Sequence, residues 1–370
     1  MLSFVPSLAF LAGLFSVLVG SCPNDPADVL FGQYDGGMPG ATVAVVKDGT
    51  IIYDRSFGLA NLATHEKTST QTNYRLASVT KPFTSLAVGI LADQKKLSFD
   101  DPVGKYLPEL RELAPKITIR HLLTHTSGLP EYERLLPKGS KDQVLDRDVL
   151  KLVAQTKTQV EPIKRHRYNN TGYALLALII EKVSKQSYGD FVKKHIFTPA
   201  GMTASTVYKK DSPITNRAFG YSCTADGAVT DSDQSPSTAV VGDGGVYSSA
   251  ADLAHFLDAL DKDRIIDHKR LVEMTTPRHP TDTPGLSYGM GWRVGEEQGE
   301  RVVFHTGTTS GFKNVMLWVP SRKLGVIVLT NRRQGDPLWL GWLMLTRFWN
   351  HGTPVIAPPP GAPVGQPIFP

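Results

Sequence analysis

Cysteine is scarce in this chain, whose 370 residues include only two, Cys22 and Cys223. Small secreted domains that depend on disulfide bonds carry many more, so this protein must rely on a packed core. Its composition permits such a core, because 41% of the residues are hydrophobic and 20% are charged, as in ordinary globular proteins. A disulfide scaffold and a disordered chain are both excluded.

Long basic runs and metal-binding spacings are also missing from the sequence. The 40 Lys and Arg residues exceed the 35 Asp and Glu residues, which gives a net charge of +5. These charges are interspersed rather than gathered in a block, so nucleic-acid binding is not indicated. The Asp, Glu and His positions show no zinc-binding spacing such as HExxH. We therefore expect no metal, no cofactor and no nucleic-acid partner.

Charged residues are absent from 2–20, as is typical of a secretory signal sequence. However, no Lys or Arg precedes this stretch, and about 20 apolar residues could also remain as a membrane anchor. Residues 19–22 (VGSC) resemble a bacterial lipobox, in which Cys22 would be lipidated. We expect 1–22 to be a signal peptide or lipoprotein leader, and the protein to be secreted, periplasmic or membrane-anchored. The Pro-rich residues 351–370 indicate an extended or disordered tail.

Strand patterns occur near both ends of the chain, at 41–58 and 301–331, as apolar runs interrupted by turn residues. Apolar residues recur at helical spacing in four segments between them: 81–91, 148–155, 173–183 and 250–260. We predict a mixed α+β fold. Its sheet part would comprise 30–75 and 285–335, and a mainly helical part, 76–284, would be inserted between them.

Ser78 and Lys81 form a Ser-x-x-Lys pair (SVTK) at the start of a predicted helix, where residues three apart lie on one side. A serine hydroxyl becomes a strong nucleophile when a neighbour takes its proton, and a lysine can do so only as a neutral amine, which burial favours. A helix-capping serine beside a surface lysine is the alternative. A second match, Ser310 and Lys313, falls in a strand-like segment, where residues three apart point to opposite faces, so we interpret it as chance.

Tyr168 and Asn170 (YNN) precede another predicted helix. In a loop facing Ser78, Tyr168 would exchange a proton with the serine or the leaving group, and Asn170 would bind a substrate amide. The alternative is an ordinary helix-entry loop.

His305, Thr306 and Gly307 lie between two strand patterns, where small and polar residues would let a substrate carbonyl approach. Backbone N–H groups of Ser78 and Thr308 would then form an oxyanion hole. A simple turn is the alternative. Residues 125–128 (HTSG) look similar but follow an apolar helix pattern, and we assign them a structural role.

The three motifs, in this order and at about these separations, resemble those of the class C beta-lactamase-related serine hydrolases, which include penicillin-binding proteins. The resemblance covers roughly residues 30–335 and extends to these stretches: 121–130, 171–184, 196–202, 244–256 and 310–320.

That resemblance implies a beta-lactamase/transpeptidase-like fold, with a catalytic cleft between an α/β domain and a helical domain. It also implies that Ser78 forms an acyl-enzyme and that Lys81 and Tyr168 move protons. Asn170 and His305 would line the substrate site, and water would deacylate the enzyme without a metal.

His305 stands where efficient class C beta-lactamases usually have Lys, a permanent cation that holds the carboxylate of the antibiotic. A mostly neutral imidazole would attract that carboxylate less. We therefore rank an esterase or a D-Ala-D-Ala carboxypeptidase-like activity, on a small or peptidoglycan-derived substrate, above beta-lactam hydrolysis. A binding protein on the same fold that acylates slowly or not at all is the alternative. The basic loop before Tyr168, residues 164–167 (KRHR), is interpreted as a solvated charge run, although it could attract an acidic substrate or wall polymer.

Overall fold

The computed structural model describes residues 26–349 apart from 138, 157, 225 and 226. The predicted leader, Cys22 and the Pro-rich tail therefore lie outside the described residues. None of the helices described in 26–349 combines the length and apolar character needed to cross a membrane.

The strands of the described residues range in length from two to ten residues. They are β1 (Ala41–Lys47), β2 (Thr50–Phe57), β3 (Leu59–Asn61), β4 (Glu66–Lys67), β5 (Tyr74–Arg75), β6 (Thr206–Val207), β7 (Tyr221–Cys223), β8 (Val229–Asp231), β9 (Val246–Ser248), β10 (His279–Pro280), β11 (Ser287–Tyr288), β12 (Arg293–Glu297), β13 (Glu300–Thr309), β14 (Phe312–Val319) and β15 (Leu324–Thr330).

The helices lie mainly between β5 and β10. They are α1 (Pro26–Phe31), α2 (Lys81–Asp93), α3 (Ile119–Leu123), α4 (Asp146–Ala154), α5 (Asn170–Ser184), α6 (Tyr188–Val192), α7 (Thr198–Ala200), α8 (Val241–Gly244), α9 (Ala250–Asp261), α10 (His268–Thr275) and α11 (Pro337–Trp349).

Eight strands form one sheet in the order β10-β11-β12-β13-β14-β15-β1-β2, and every pair in it is antiparallel. Strand β1 pairs with β2 on one side and with β15 on the other, so Ala41 faces both Phe57 and Thr330. The two ends of the described chain thus share one sheet, and a mainly helical segment is inserted between them. The predicted mixed fold with an antiparallel sheet is confirmed.

Each face of this sheet packs on its own apolar core. Along β15, Val326 and Val328 contribute to the core that holds α1 and α11, whereas Ile327 and Leu329 contribute to the core beneath α2 and α9. Because both faces are covered, β15 reads as a continuous apolar run instead of alternating. Helix α11 lies beyond the predicted catalytic region, 30–335, and covers the outer face of the sheet with residues such as Leu345.

Helix α2 is buried from Lys81 through Leu91, as expected for a helix at the centre of a helical layer. It packs against α5, which also contacts α4 and α8. The amino-terminal ends of α2 and α5 therefore lie side by side and face β13. This arrangement brings together the three predicted motifs.

Candidate active site

Ser78 lies in a 3-10 turn, Ala77–Thr80, that leads directly into α2. The backbone N–H of Leu76 donates to Val246 O at 2.8 Å, and Ala77 adopts a left-handed φ of +50°, which is strained for a residue with a Cβ. Ser78 is partly exposed while both of its neighbours are buried. The turn thus presents the serine hydroxyl at the surface of an otherwise packed segment.

Lys81 is fully buried, and its amine contacts three oxygen atoms. Nζ lies 2.9 Å from Ser78 Oγ, 2.9 Å from Asn170 Oδ1 and 3.0 Å from Asp243 O. A neutral amine donates two hydrogens and accepts one. In the structure Nζ donates to Ser78 Oγ. Once Lys81 is neutral, its two hydrogens serve the amide and carbonyl oxygens and its lone pair faces the Ser78 hydroxyl, as activation of a serine requires.

Tyr168 packs over this amine, because the Lys81 Nζ lies 4.9 Å from the centre of its ring. The ring of His125 packs against the other rings of the cleft and lies 4.3 Å from Tyr168, measured between ring centres. His125 also holds the backbone of the loop: its Nδ1 accepts the Asn169 N–H at 3.1 Å, and its carbonyl accepts the Arg167 N–H at 2.9 Å. The HTSG segment thus positions the tyrosine loop.

Asn170 is the first residue of α5, and Asn169 caps the helix by accepting the Gly172 N–H at 3.0 Å. The Asn170 backbone N–H donates to Glu131 Oε2 at 2.9 Å, and its side-chain Nδ2 lies 3.4 Å from Glu133 Oε1. These contacts orient the amide oxygen towards Lys81. The structure therefore brings Ser78, Lys81, Tyr168 and Asn170 into one site.

Strand β13 passes directly beside the serine turn. Its partner β12 pairs with it only as far as Phe304, so residues 305–309 have β14 on one side and the turn on the other. A Cβ at Gly307 would lie 2.1 Å from Leu76 O and 3.2 Å from Ser78 N, so only glycine permits this approach. Thr308 follows at the surface and lines the same cavity as Ser78, which fits the predicted oxyanion hole.

His305 is fully buried on this strand. Its Nδ1 donates to Thr306 O at 2.7 Å, and its Nε2 accepts from Tyr288 Oη at 3.0 Å. Burial lowers the pKa of His305 well below its ordinary value, and the positive charges of Arg293 and Lys81 lower it further. The imidazole is therefore neutral at pH 7, as the sequence indicated, and both of its nitrogens hold the strand. Within the His-Thr-Gly motif, only Thr306 is partly exposed.

A small cavity of about 40 Å³ opens beside Ser78, Asn170 and Thr308. Two carboxylate residues that sequence reasoning missed, Glu133 and Asp243, also line it. Burial raises the pKa of Asp243 to about 7, although the charge of Lys81 opposes this shift. The only sequence signal for Asp243 was its position between glycines, in VGDGG.

Several other sequence features lie apart from this site. Lys313 of the second Ser-x-x-Lys match donates to Gly335 O at 2.9 Å, so it does not serve Ser310. In the basic loop, His166 is buried while its three neighbours are exposed, so only part of that run is solvated.

A larger cavity of about 780 Å³ lies between α6 and β6 and includes none of the motif residues. Among the described residues, no group of three or more His, Cys, Asp or Glu side chains could hold a metal ion.

The Beta-lactamase family model matches residues 26–345, which is most of the chain and includes all three motifs. The chain belongs to the Beta-lactamase family. Its penicillin-binding-protein-like members are serine hydrolases, and the site described above brings together a serine, a lysine and an asparagine within hydrogen-bonding distance.

Relatives of this Beta-lactamase family chain include penicillin-binding proteins and an amidase. A penicillin-binding protein of Bacillus subtilis is 34% identical over 310 residues, which are 79% of this chain and 68% of the relative. The chain spans 60% of the length of other curated relatives.

Solved structures of similar proteins share the fold of this chain. The octameric penicillin-binding protein homologue from Pyrococcus abyssi is 30% identical with a TM-score of 0.76, covering 84% of this chain and 74% of its own. The D-amino acid amidase from Ochrobactrum anthropi is 26% identical with a TM-score of 0.73, covering 84% of this chain and 93% of its own.

Proposed function

We propose that the protein hydrolyses an ester or amide substrate through an acyl-enzyme on Ser78, with an esterase or D-Ala-D-Ala carboxypeptidase-like activity. The observation that carries this proposal is the position of the Lys81 amine, within hydrogen-bonding distance of Ser78 Oγ, Asn170 Oδ1 and Asp243 O. Each of the three contacts has a role in the reaction.

In acylation, Lys81 accepts the proton of Ser78 as Oγ attacks the substrate carbonyl carbon. The carbonyl oxygen gains negative charge and binds the N–H groups of Ser78 and Thr308, each of which stabilises the transition state by about 3 kcal/mol. Tyr168 lies over Lys81 and passes the proton to the leaving group. Asn170 holds the amine and binds the substrate amide.

The choice of substrate rests on the charges near Tyr168. His305 is neutral and buried, so it does not supply the cation of an efficient class C beta-lactamase. Arg293 is partly exposed, and its guanidinium carbon lies 5.7 Å from the centre of the Tyr168 ring. A cation here suits a substrate with a free carboxylate, as D-Ala-D-Ala peptides have. The names of the relatives, a penicillin-binding protein and a D-amino acid amidase, support an amide of a D-amino acid. Beta-lactams, which also carry a carboxylate, are the second candidate substrates.

The test is labelling with a fluorophosphonate, which reacts with activated serines whatever their natural substrate. We expect the chain without residues 1–22 to be labelled, Ser78→Ala to abolish labelling and Ser310→Ala to leave it unchanged. A folded protein that is not labelled would instead support a binding protein on the same fold.

Substrates then distinguish the activities. We expect turnover of p-nitrophenyl esters or of a D-alanyl-D-alanine peptide. Turnover of nitrocefin alone would contradict our ranking and favour a beta-lactamase.

A further inference from the structure

Asp243 places a carboxylate in the cavity beside the proposed nucleophile. It lies in α8, a single helical turn that contacts α2, α5 and the turn carrying Ser78. Only 7% of the surface of Asp243 is exposed. Its backbone carbonyl accepts from Lys81 Nζ at 3.0 Å, and its Oδ2 accepts the Tyr132 hydroxyl at 3.2 Å. Among the described residues, no donor bonds to Oδ1, and Asp243 lines the cavity at Ser78.

The cavity has room for the water that hydrolyses an acyl-enzyme, which is the second step of the proposed reaction. Its volume of about 40 Å³ is sufficient for a water molecule, which needs roughly 10–15 Å³ of such space. Acyl-enzyme hydrolysis needs a group that takes a proton from this water, and an ionised carboxylate only accepts hydrogen bonds. Within the cavity, Asp243 and Glu133 are the carboxylates. Glu133 is exposed, so Asp243 is the one held in place.

We propose that Asp243 is the general base that activates the water for hydrolysis of the acyl-enzyme on Ser78; this inference rests on the proposed function. The water oxygen bonds to the acyl carbon as one of its protons passes to Asp243 Oδ1. The N–H groups of Ser78 and Thr308 hold the resulting oxyanion. The bond from the acyl carbon to Ser78 Oγ then breaks, and Oγ takes the proton that Asp243 releases. The product leaves as a carboxylic acid, and both side chains end as they began.

The surroundings of Asp243 determine the pH at which it acts. Charged or titratable groups act on it from several neighbouring elements: Lys81 of α2, Arg75 of β5, Glu131, Tyr132 and Glu133 of the loop after α3, Asp146 of α4 and Tyr188 of α6. Burial raises the pKa of Asp243 to about 7. A base must be ionised, so the deacylation rate should rise as the pH increases through this value.

The experiment measures acylation and deacylation separately on the full chain. Fluorophosphonate labelling reports the reactivity of Ser78, whereas turnover of a p-nitrophenyl ester and the intact mass of the protein report deacylation. Asp243→Asn keeps an acceptor for Tyr132 and the carbonyl bonded to Lys81. We expect labelling within about threefold of the parent, deacylation about 10²- to 10⁴-fold slower, and the acyl-enzyme visible by mass. The rise of rate with pH should disappear.

Two further variants complete the design. Asp261→Asn is the matched control, because Asp261 is a half-buried carboxylate of α9 that bonds Trp318 Nε1 at 3.0 Å, outside the cavity. It should deacylate as the parent does. Asp243→Glu keeps the carboxylate and should retain more turnover than Asp243→Asn, which keeps the proposal testable if the Asn variant is unstable.

Two results would overturn the inference. One is an Asp243→Asn protein that deacylates as fast as the parent. The other is a labelling rate that falls in step with turnover, since Asp243 would then only hold Lys81. A parent protein that is not labelled at all would instead refute the proposed function.

Discussion

Individual residues of the cleft are constrained mainly by backbone contacts. The Lys81 amine donates a hydrogen bond to the backbone carbonyl of Asp243, and His125 accepts hydrogen bonds from the backbone of the loop before Asn170. Strand β13 approaches the serine turn closely only because Gly307 has no side chain. Such contacts leave little freedom to the atoms that react. A change of a single carbon atom at these positions is therefore expected to alter the geometry of catalysis.

Gly307→Ala is the sharpest test of this constraint. The new Cβ would meet Leu76 O at 2.1 Å, so the strand must move away from Ser78 and the proposed oxyanion hole must widen. We expect the rate of fluorophosphonate labelling to fall about 10²-fold or more, as after the loss of one oxyanion donor. Gly189→Ala is the control, because its Cβ would meet Val207 at an ordinary 3.4 Å. Unchanged labelling of Gly307→Ala would contradict the role of this strand.

The sequence predicts the site unevenly at this scale. Ser78 and Lys81 could be paired from their spacing together with the predicted helix start, because a helix places residues three apart on one side. Their contacts with Asn170 and Asp243 join residues far apart in the chain, and no local pattern encodes them. His305 was expected to line the substrate site, but its burial depends on Tyr288 of another strand, which the sequence does not reveal.

Among the elements, helix α11 was not predicted from the sequence, because its apolar residues show little helical periodicity. Its sequence, PLWLGWLMLTRFW, is apolar on most sides, so it lacks the polar stripe by which surface helices are recognised. The strands of the sheet were easier to predict, since their apolar runs are bounded by turn residues. The order β15-β1-β2 was not predictable in detail, because pairing between distant strands leaves no local signal.

Helix α11 should contribute substantially to stability. Leu345 is fully buried against the outer face of the sheet, so Leu345→Ala removes apolar contacts and leaves a cavity. We expect a loss of about 2–5 kcal/mol in the free energy of unfolding, measured by chemical denaturation. The half-exposed Val272, 37% exposed on α10, is the comparison, and Val272→Ala should cost less than about 1 kcal/mol. Equal losses would show that α11 is not part of the core.

Over the whole molecule, the histidines of the cleft make the folded state sensitive to acid. Burial lowers the pKa of His166 to about 4, and the charge of Arg293 adds to this effect. The unfolded state, with a pKa near 6.5, therefore binds more protons as the pH falls from about 6.5 to 4. Stability is lost in this window and is fully present above it.

His166→Phe should remove this contribution, because phenylalanine has a similar shape and does not titrate. We expect the free energy of unfolding of the variant, minus that of the parent, to be larger at pH 5 than at pH 7.5. Chemical denaturation of both proteins at both pH values measures this difference. A stability difference that is the same at both pH values would mean that His166 does not titrate on unfolding.

The position of β1 between β2 and β15 determines when the main sheet can form during synthesis. The β1–β2 hairpin is synthesised first, but its open edge has no partner until residues 324–330 have emerged. Until then that edge is available to other strands, which is a hazard for association of incomplete chains. The turn that carries Ser78 also lacks its neighbours at this stage, because β13 and β14 are synthesised later in the chain. Assembly of the candidate active site thus depends on synthesis of the chain through β15, and a chain cut short before β15 should show no fluorophosphonate labelling and should be prone to aggregate.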